Sequence, residues 1–297
     1  MVKKKSYLSG ELRKKIKRIE IFTKRLMKSS LVGDYLSAFK GSGLEFDQIR
    51  EYIAGDDIRL IDWNSSAKMN KIMIKQLVEE RDRTVILAID VSRSTHFSSK
   101  RERKKDMIEQ IAAVLSFVAS NNKDRVGALF FSDTVETWIP PARGRVQLGK
   151  VLEHIFSMES KSANTNIKEA LNFLVGLKKR NSVVFMLSDW IDDTSDYANI
   201  LKVASCEYDF VGVRVLDDCE NRLPDVGFLE IQDLESDQFY SLNTCEQQKM
   251  QVCLQGRLIE QKKLFEKYRI DLLDLLVGRS FIGPMDEFFR SRIRRQI

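Results

Sequence analysis

VILAIDVSRST (residues 85–95) sets five apolar residues of strand character before a carboxylate, Asp90, and a run of hydroxyls at Ser92, Ser94 and Thr95. An apolar run this short and this continuous fits a strand buried on both faces. Runs of the same kind follow at RVGALFF (125–131), VVFMLSD (183–189) and DFVGVRVL (209–216). Helical patterns separate them, from about Arg101 to Ala119, near 146–157, at 167–178 and near 195–204. Apolar strands alternating with helices predict a mostly parallel sheet covered on both faces, an α/β doubly wound fold.

Smaller β-rich additions are expected on either side. Residues 40–80 hold Gly-rich turns and then KIMIKQLVE (71–79), which alternates as a half-exposed strand does; residues 227–243 alternate likewise. A long helix is expected at about 246–268, then the strand IDLLDLL (270–276) and a last helix. The organisation read from this is a basic helical arm (1–39), a loop and β signature subdomain (40–80), the α/β domain (81–218), and a hairpin with C-terminal helices (219–297) packing on the same body.

The chain has 297 residues, 43% hydrophobic and 31% charged, the balance of a globular protein with a sizeable core. No run reaches the ~18 to 20 apolar residues that span a bilayer, so the expected location is cytoplasmic. Four cysteines without a CxxC pair and only two histidines argue against zinc or a disulfide framework. The net charge of +6 is concentrated: eleven Lys or Arg stand against two acids between Lys3 and Lys28. Leu12, Ile16, Ile19, Thr23 and Leu26 put an apolar stripe on that arm, suited to docking on its own domain or to lying at an anionic surface, including the inner face of a membrane.

In an open parallel sheet, ligands sit beyond the carboxyl ends of the strands. There the sequence places Asp90, Ser92 and Ser94; Ser132 and Asp133; Asn164, Thr165 and Asn166; and Ser188 and Asp189. Nearly all offer oxygen, the donor of choice for a hard cation such as Mg²⁺. Helix capping is the competing use of such hydroxyls. It is expected to be met elsewhere, by a capping box at Ser99 to Glu102 and by Asn166 with Glu169, which leaves Ser92, Ser94 and Thr165 without that duty.

Other chemistries fit poorly. GRVQLGKV (144–151) has Val151 where a P-loop needs Ser or Thr, and the preceding WIPPAR does not read as a buried strand. GSGLEF lacks the third glycine of a dinucleotide fingerprint. No G-x-S-x-G occurs, His96 is the lone histidine near a serine of interest, and Ser92 stands where an aspartyl phosphotransferase would want a second acid. A non-enzymatic role is expected.

Asp90-Val-Ser-Arg-Ser94, Thr165 in ANTNIKEAL, and Ser188-Asp189 in MLSDW resemble the metal-ion-dependent adhesion site of von Willebrand factor A domains. Thr95 stands where those domains often have Met, and Ala163-Asn164 where they often have glycines. A narrower likeness lies in GSGLEFDQIREYIAGDDIRLIDWNSSAK (41–68), LPDVGFLEIQDLES and DEFFRSR, which resemble the bacterial family called domain of unknown function fifty-eight (DUF58). In the 41–68 stretch Trp63 and Tyr52 are expected to be buried, and Arg50 to pair with Asp56 or Asp62.

The first resemblance implies that Asp90, Ser92, Ser94, Thr165 and Asp189 hold Mg²⁺, or Mn²⁺ or Ca²⁺ in its place, with one position open for an acidic side chain of a protein partner. The second implies that the partner is a MoxR-type AAA+ ATPase. The alternative function is a basic scaffold that binds nucleic acid or anionic membrane through residues 3–28, its oxygen cluster vestigial.

Overall fold

The computed structural model describes residues 17, 19–21, 35, 38–39, 43–80, 83–99, 102–158, 160, 162, 164–179, 182–221, 228–232, 239–243 and 247–296. It divides into two compact units, residues 39–82 and the rest of the chain.

In the smaller unit β1 (Gly43–Glu51) pairs antiparallel with β2 (Met73–Glu80), with a 3-10 turn at Ile58–Leu60 and α1 (Trp63–Met69) between them. Asp57 caps the turn and Asp62 caps α1 by accepting from the backbone N–H groups of Asn64 and Ser65. Arg50 grips Asp56 through two hydrogen bonds of 2.7 Å, the first of its two expected partners. The expectation for Trp63 fails, since its side chain is 71% exposed, and Tyr52 is only half-buried. Asp62 as cap places Trp63 at the first position of a two-turn helix none of whose residues is buried, and Ser66 in that helix accepts from the Met73 N–H of β2.

The larger unit contains β3 (Thr84–Asp90), α2 (Lys104–Asn121), β4 (Arg125–Phe131), β5 (Val135–Ala142), α3 (Arg145–Ser157), α4 (Ile167–Gly176) and β6 (Ser182–Ser188). It continues through α5 (Thr194–Glu207), β7 (Asp209–Leu216), the short α6 (Asp218–Asn221), the hairpin β8 (Phe228–Gln232) and β9 (Phe239–Asn243), α7 (Gln247–Lys267), β10 (Asp271–Leu276) and α8 (Ile282–Gln296). Six strands form one sheet in the order β10-β7-β6-β3-β4-β5. Every neighbouring pair is parallel except β4 and β5.

The two-residue period of β3 explains why the sheet is covered twice. Ile86 and Ala88 join a core with Leu171 and Leu174 of α4, Leu201 of α5 and Phe265 of α7. Their neighbours Val85 and Leu87, equally buried, lie on the other face, where α2 packs along β3 and β4 with Ile108, Ile111, Ala112 and Leu115 inward. The doubly wound expectation holds, and the strand at 270–276 belongs to the same sheet.

WIPPA is no buried strand, as expected, but it is part of β5, a half-exposed edge strand that β4 pairs on one side. Its prolines are tolerated because an edge leaves donors unused, and Gly127 opposite them is required because a Cβ there would come within 2.8 Å of the Pro141 ring. One local reading needs correction: α2 starts at Lys104 with Arg103 as cap residue and Asp106 accepting from the Arg103 backbone. Ser99 caps nothing; its N–H donates to Asp217 Oδ2 at 3.0 Å and its hydroxyl to Oδ1 of the same carboxylate.

Of the arm, Ile19 is helical and buried while Ile21 is exposed. Leu12, Ile16, Thr23 and Leu26 lie outside the described residues. Among the described residues no helix is long and apolar enough to cross a membrane.

Candidate metal site

The strand order reverses at β3: the chain first moves to β4 on one side and later to β6 on the other. A crevice opens at such a switch point beyond the strand ends, and β3 ends there with Asp90. Asp90 Oδ1 accepts from the Ser92 backbone N–H at 2.9 Å, and Oδ2 accepts from the Ser188 hydroxyl at 2.6 Å. The chain then tightens into a 3-10 turn, Arg93–His96, for which Ser92 is the cap residue yet supplies no side-chain cap. The Thr95 hydroxyl locks this turn by donating to Ser92 O at 2.7 Å.

With its backbone held in this way, the turn turns its hydroxyls toward one another. Ser92 Oγ lies 2.9 Å from Ser94 Oγ, and Ser94 Oγ lies 3.3 Å from Thr165 Oγ1 on the loop before α4. That loop is anchored by the Asn166 N–H on Ser132 O and by the Ile167 N–H on Asp192 Oδ2. Asn166 caps α4 by accepting from the Glu169 N–H, as its spacing predicted, so Thr165 is spared.

Asp189 follows β6. Its Oδ2 takes the ammonium of Lys104 at 3.0 Å, whereas its Oδ1 is buried and has no hydrogen-bond partner. Lys104 also reaches Glu220 Oε1 at 2.5 Å, and Glu220 Oε2 accepts from the Asp217 N–H. Burial works against the Lys104 ammonium, but the two facing carboxylates outweigh it and hold its pKa above the ordinary lysine value. Burial and the nearby Asp189 charge push Asp90 up to about 7, against the lowering effect of its hydrogen bonds from Ser188 and Ser92.

These residues fit a divalent cation. Neighbouring ligands of an octahedron with ~2.1 Å bonds are about 3.0 Å apart, and the hydroxyl separations of 2.9 and 3.3 Å match that edge. Two crowded buried carboxylates, one with an orphaned oxygen, supply the charge such an ion would balance. Among the described residues no cluster of three His, Cys, Asp or Glu side chains could hold a metal.

A pH dependence follows. Because the folded state raises the Asp90 pKa above its ordinary 3.8, the stability this group contributes is complete below about pH 4 and is lost as pH rises toward about 7. In chelator, the melting temperature of the wild type should therefore fall between about pH 4 and 7 relative to Asp90→Asn; parallel profiles would show that Asp90 is not strained.

All five predicted ligands lie at this end of the sheet, and four of them are linked to at least one other site residue by a short contact or a shared charge: Ser92, Ser94 and Thr165 in a chain, Asp90 through Ser92. Asp189 approaches Asp90 electrostatically. Ser132 and Asp133 turn to each other at 3.2 Å. Lys104, Glu220 and Ser188 belong to the site and were not singled out as its members from sequence, apart from Ser188 as a strand-end oxygen. Lys104 sits within RERKKD, whose pattern gives no sign of which lysine is buried.

A mostly parallel six-stranded sheet whose order reverses at β3, one antiparallel edge, and a hydroxyl-rich crevice at the reversal define a doubly wound α/β domain. The chain belongs to the family described as "Protein of unknown function DUF58", whose sequence model matches residues 48–262. It is 27% identical over 223 residues to the uncharacterized protein Rv1480 of Mycobacterium tuberculosis, covering 74% of this chain and 70% of that protein. Similar solved structures include the conserved hypothetical protein BatB from Bacteroides thetaiotaomicron, with a TM-score of 0.48, 14% identity, and coverage of 72% of this chain and 98% of that one. The SpRpn10 VWA domain is similar with a TM-score of 0.41, 8% identity, and coverage of 68% and 93%.

Proposed function

We propose that this protein is a non-enzymatic, divalent-metal-dependent protein-interaction module. Asp90, Ser92, Ser94, Thr165 and Asp189 would hold Mg²⁺ or a similar hard cation, and the ion would supply a Lewis-acidic position for a carboxylate of the partner. The observation that carries this reading is the hydroxyl chain at octahedral-edge spacing beside a buried carboxylate oxygen without a partner. The protein's own part is to hold the donors rigid and dry: Thr95 and Ser188 fix the turn and Asp90, and the ends of β3 and β6 set their separation.

The partner proposed from the family likeness is a MoxR-type AAA+ ATPase. In co-purification, wild type should retain that ATPase in Mg²⁺ and release it in EDTA, and Ser92→Ala with Ser94→Ala should release it in either buffer. A complex that survives both changes but breaks when the charges of residues 3–28 are reversed would replace this function with the basic scaffold.

A further inference from the structure

Lys104 occupies a position that is poor for a cation on two counts. It is the first residue of α2, where the helix dipole repels positive charge. It is also fully buried, where an ammonium needs paired charge around it. The surroundings supply that pairing from three stretches of chain: Asp189 after β6 at 3.0 Å, Glu220 on α6 at 2.5 Å, and the face of Phe97, whose ring centre is 5.5 Å from Nζ. Glu220 is in turn held by the Asp217 backbone, and Asp217 by Ser99. The whole arrangement converges on one oxygen of Asp189 and leaves the other bare.

We propose that Lys104 is a built-in counter-charge for the metal site: it occupies Asp189 Oδ2, leaves Oδ1 alone for the cation, and keeps affinity for that cation low. This rests on the metal-dependent reading above. An ammonium bonded to a ligand carboxylate stands within a few ångströms of any ion on the other oxygen, and like charges at that range repel strongly in a protein interior. Glu220 shares the ammonium with Asp189 and offsets the repulsion only in part. The site is then weak for a lone ion and regains affinity when a partner adds negative charge.

The test is Mg²⁺ titration calorimetry on the full chain. Lys104→Met with Glu220→Gln removes the ammonium together with one of its two carboxylates and leaves Asp189 for the ion, with the fold checked by circular dichroism, while Lys104→Arg keeps the charge. Removing the pair should tighten Mg²⁺ by about tenfold or more, and Lys104→Arg should stay within about threefold of wild type. A purely structural lysine would give no change or weaker binding in the paired variant with the fold intact by circular dichroism, and that result overturns the proposal. If the paired variant binds Mg²⁺ and wild type does not, the counter-charge stands and the metal-dependent function of the wild type falls. Binding by neither ends both.

Discussion

Mg²⁺ at a hundredfold excess over its dissociation constant should raise the melting temperature of the wild type by roughly 5 to 10 °C, and Asp90→Asn should abolish the rise. Ligand binding to the folded state alone contributes about 2.7 kcal/mol at that excess, and each kcal/mol moves the midpoint by roughly 2 to 4 °C in a domain of this size. The asparagine keeps the shape of the side chain and can still accept from Ser92, but it removes the charge that the ion would balance. It also removes a carboxylate whose ionisation burial opposes. The variant should therefore match or exceed wild type in chelator and fall below it in Mg²⁺, a crossing that scanning calorimetry reads directly. A potassium control at equal ionic strength separates site binding from screening. If Asp90→Asn keeps the full Mg²⁺ response, Asp90 is not a ligand.

Trp190→Ala should destabilise the larger unit by about 3 to 5 kcal/mol, the usual loss for a large buried aromatic. Trp190 is wholly buried, with its ring edge-on to Phe265 at 5.0 Å and 5.8 Å from Tyr197. Its backbone adopts a positive φ of 59° immediately after Asp189, its N–H donates to Ser188 Oγ at 3.1 Å, and its carbonyl accepts from Gln261. The indole thus pins the bend that brings Asp189 to the crevice, and Ser188 carries the same link on to Asp90. Trp190→Phe, which refills most of the volume, should recover the larger part of the loss. Chemical denaturation measures both; a Trp190→Ala cost below about 1 kcal/mol would mean that this cluster does not fix the segment.

The fold was legible where burial imposed a single pattern. VILAI and VVFML are apolar without interruption, and VGVRVL is broken only by Arg214, which Asp274 and Gln261 satisfy, because the sheet lies under helices on both faces. β5 was not counted among the strands because an edge strand meets water along one side, so its sequence carries prolines and mixed polarity in place of an apolar run. Ser99 illustrates a different loss. Its cap pattern with Glu102 is local, whereas its actual partner, Asp217, is distant in sequence, and a local pattern cannot anticipate a competitor that only the fold delivers. Trp63 misled for a different reason: aromatic residues are usually buried, yet this one begins a two-turn helix that buries none of its residues.

Of the candidate site, the oxygen donors could be read because they sit at strand ends, whose position the apolar runs mark. Lys104 could not, since burial of one lysine among five basic residues between Lys100 and Lys105 depends on Glu220 and Asp189 arriving from elsewhere. The charge balance of the site is therefore a product of the tertiary structure, although its ligand types are already present in the sequence.

In the proposed site the five oxygen-bearing side chains at the carboxyl end of β3, before α4 and after β6 would hold one hard divalent cation. Electron paramagnetic resonance of free Mn²⁺, titrated against the full chain, counts bound ions directly. One Mn²⁺ per chain, displaced by Mg²⁺ and absent from the Ser92→Ala, Ser94→Ala double variant, is the expected outcome. A free Mn²⁺ signal that the wild-type protein leaves unchanged at equal or higher protein concentration, or one lost equally to the double variant, would contradict it.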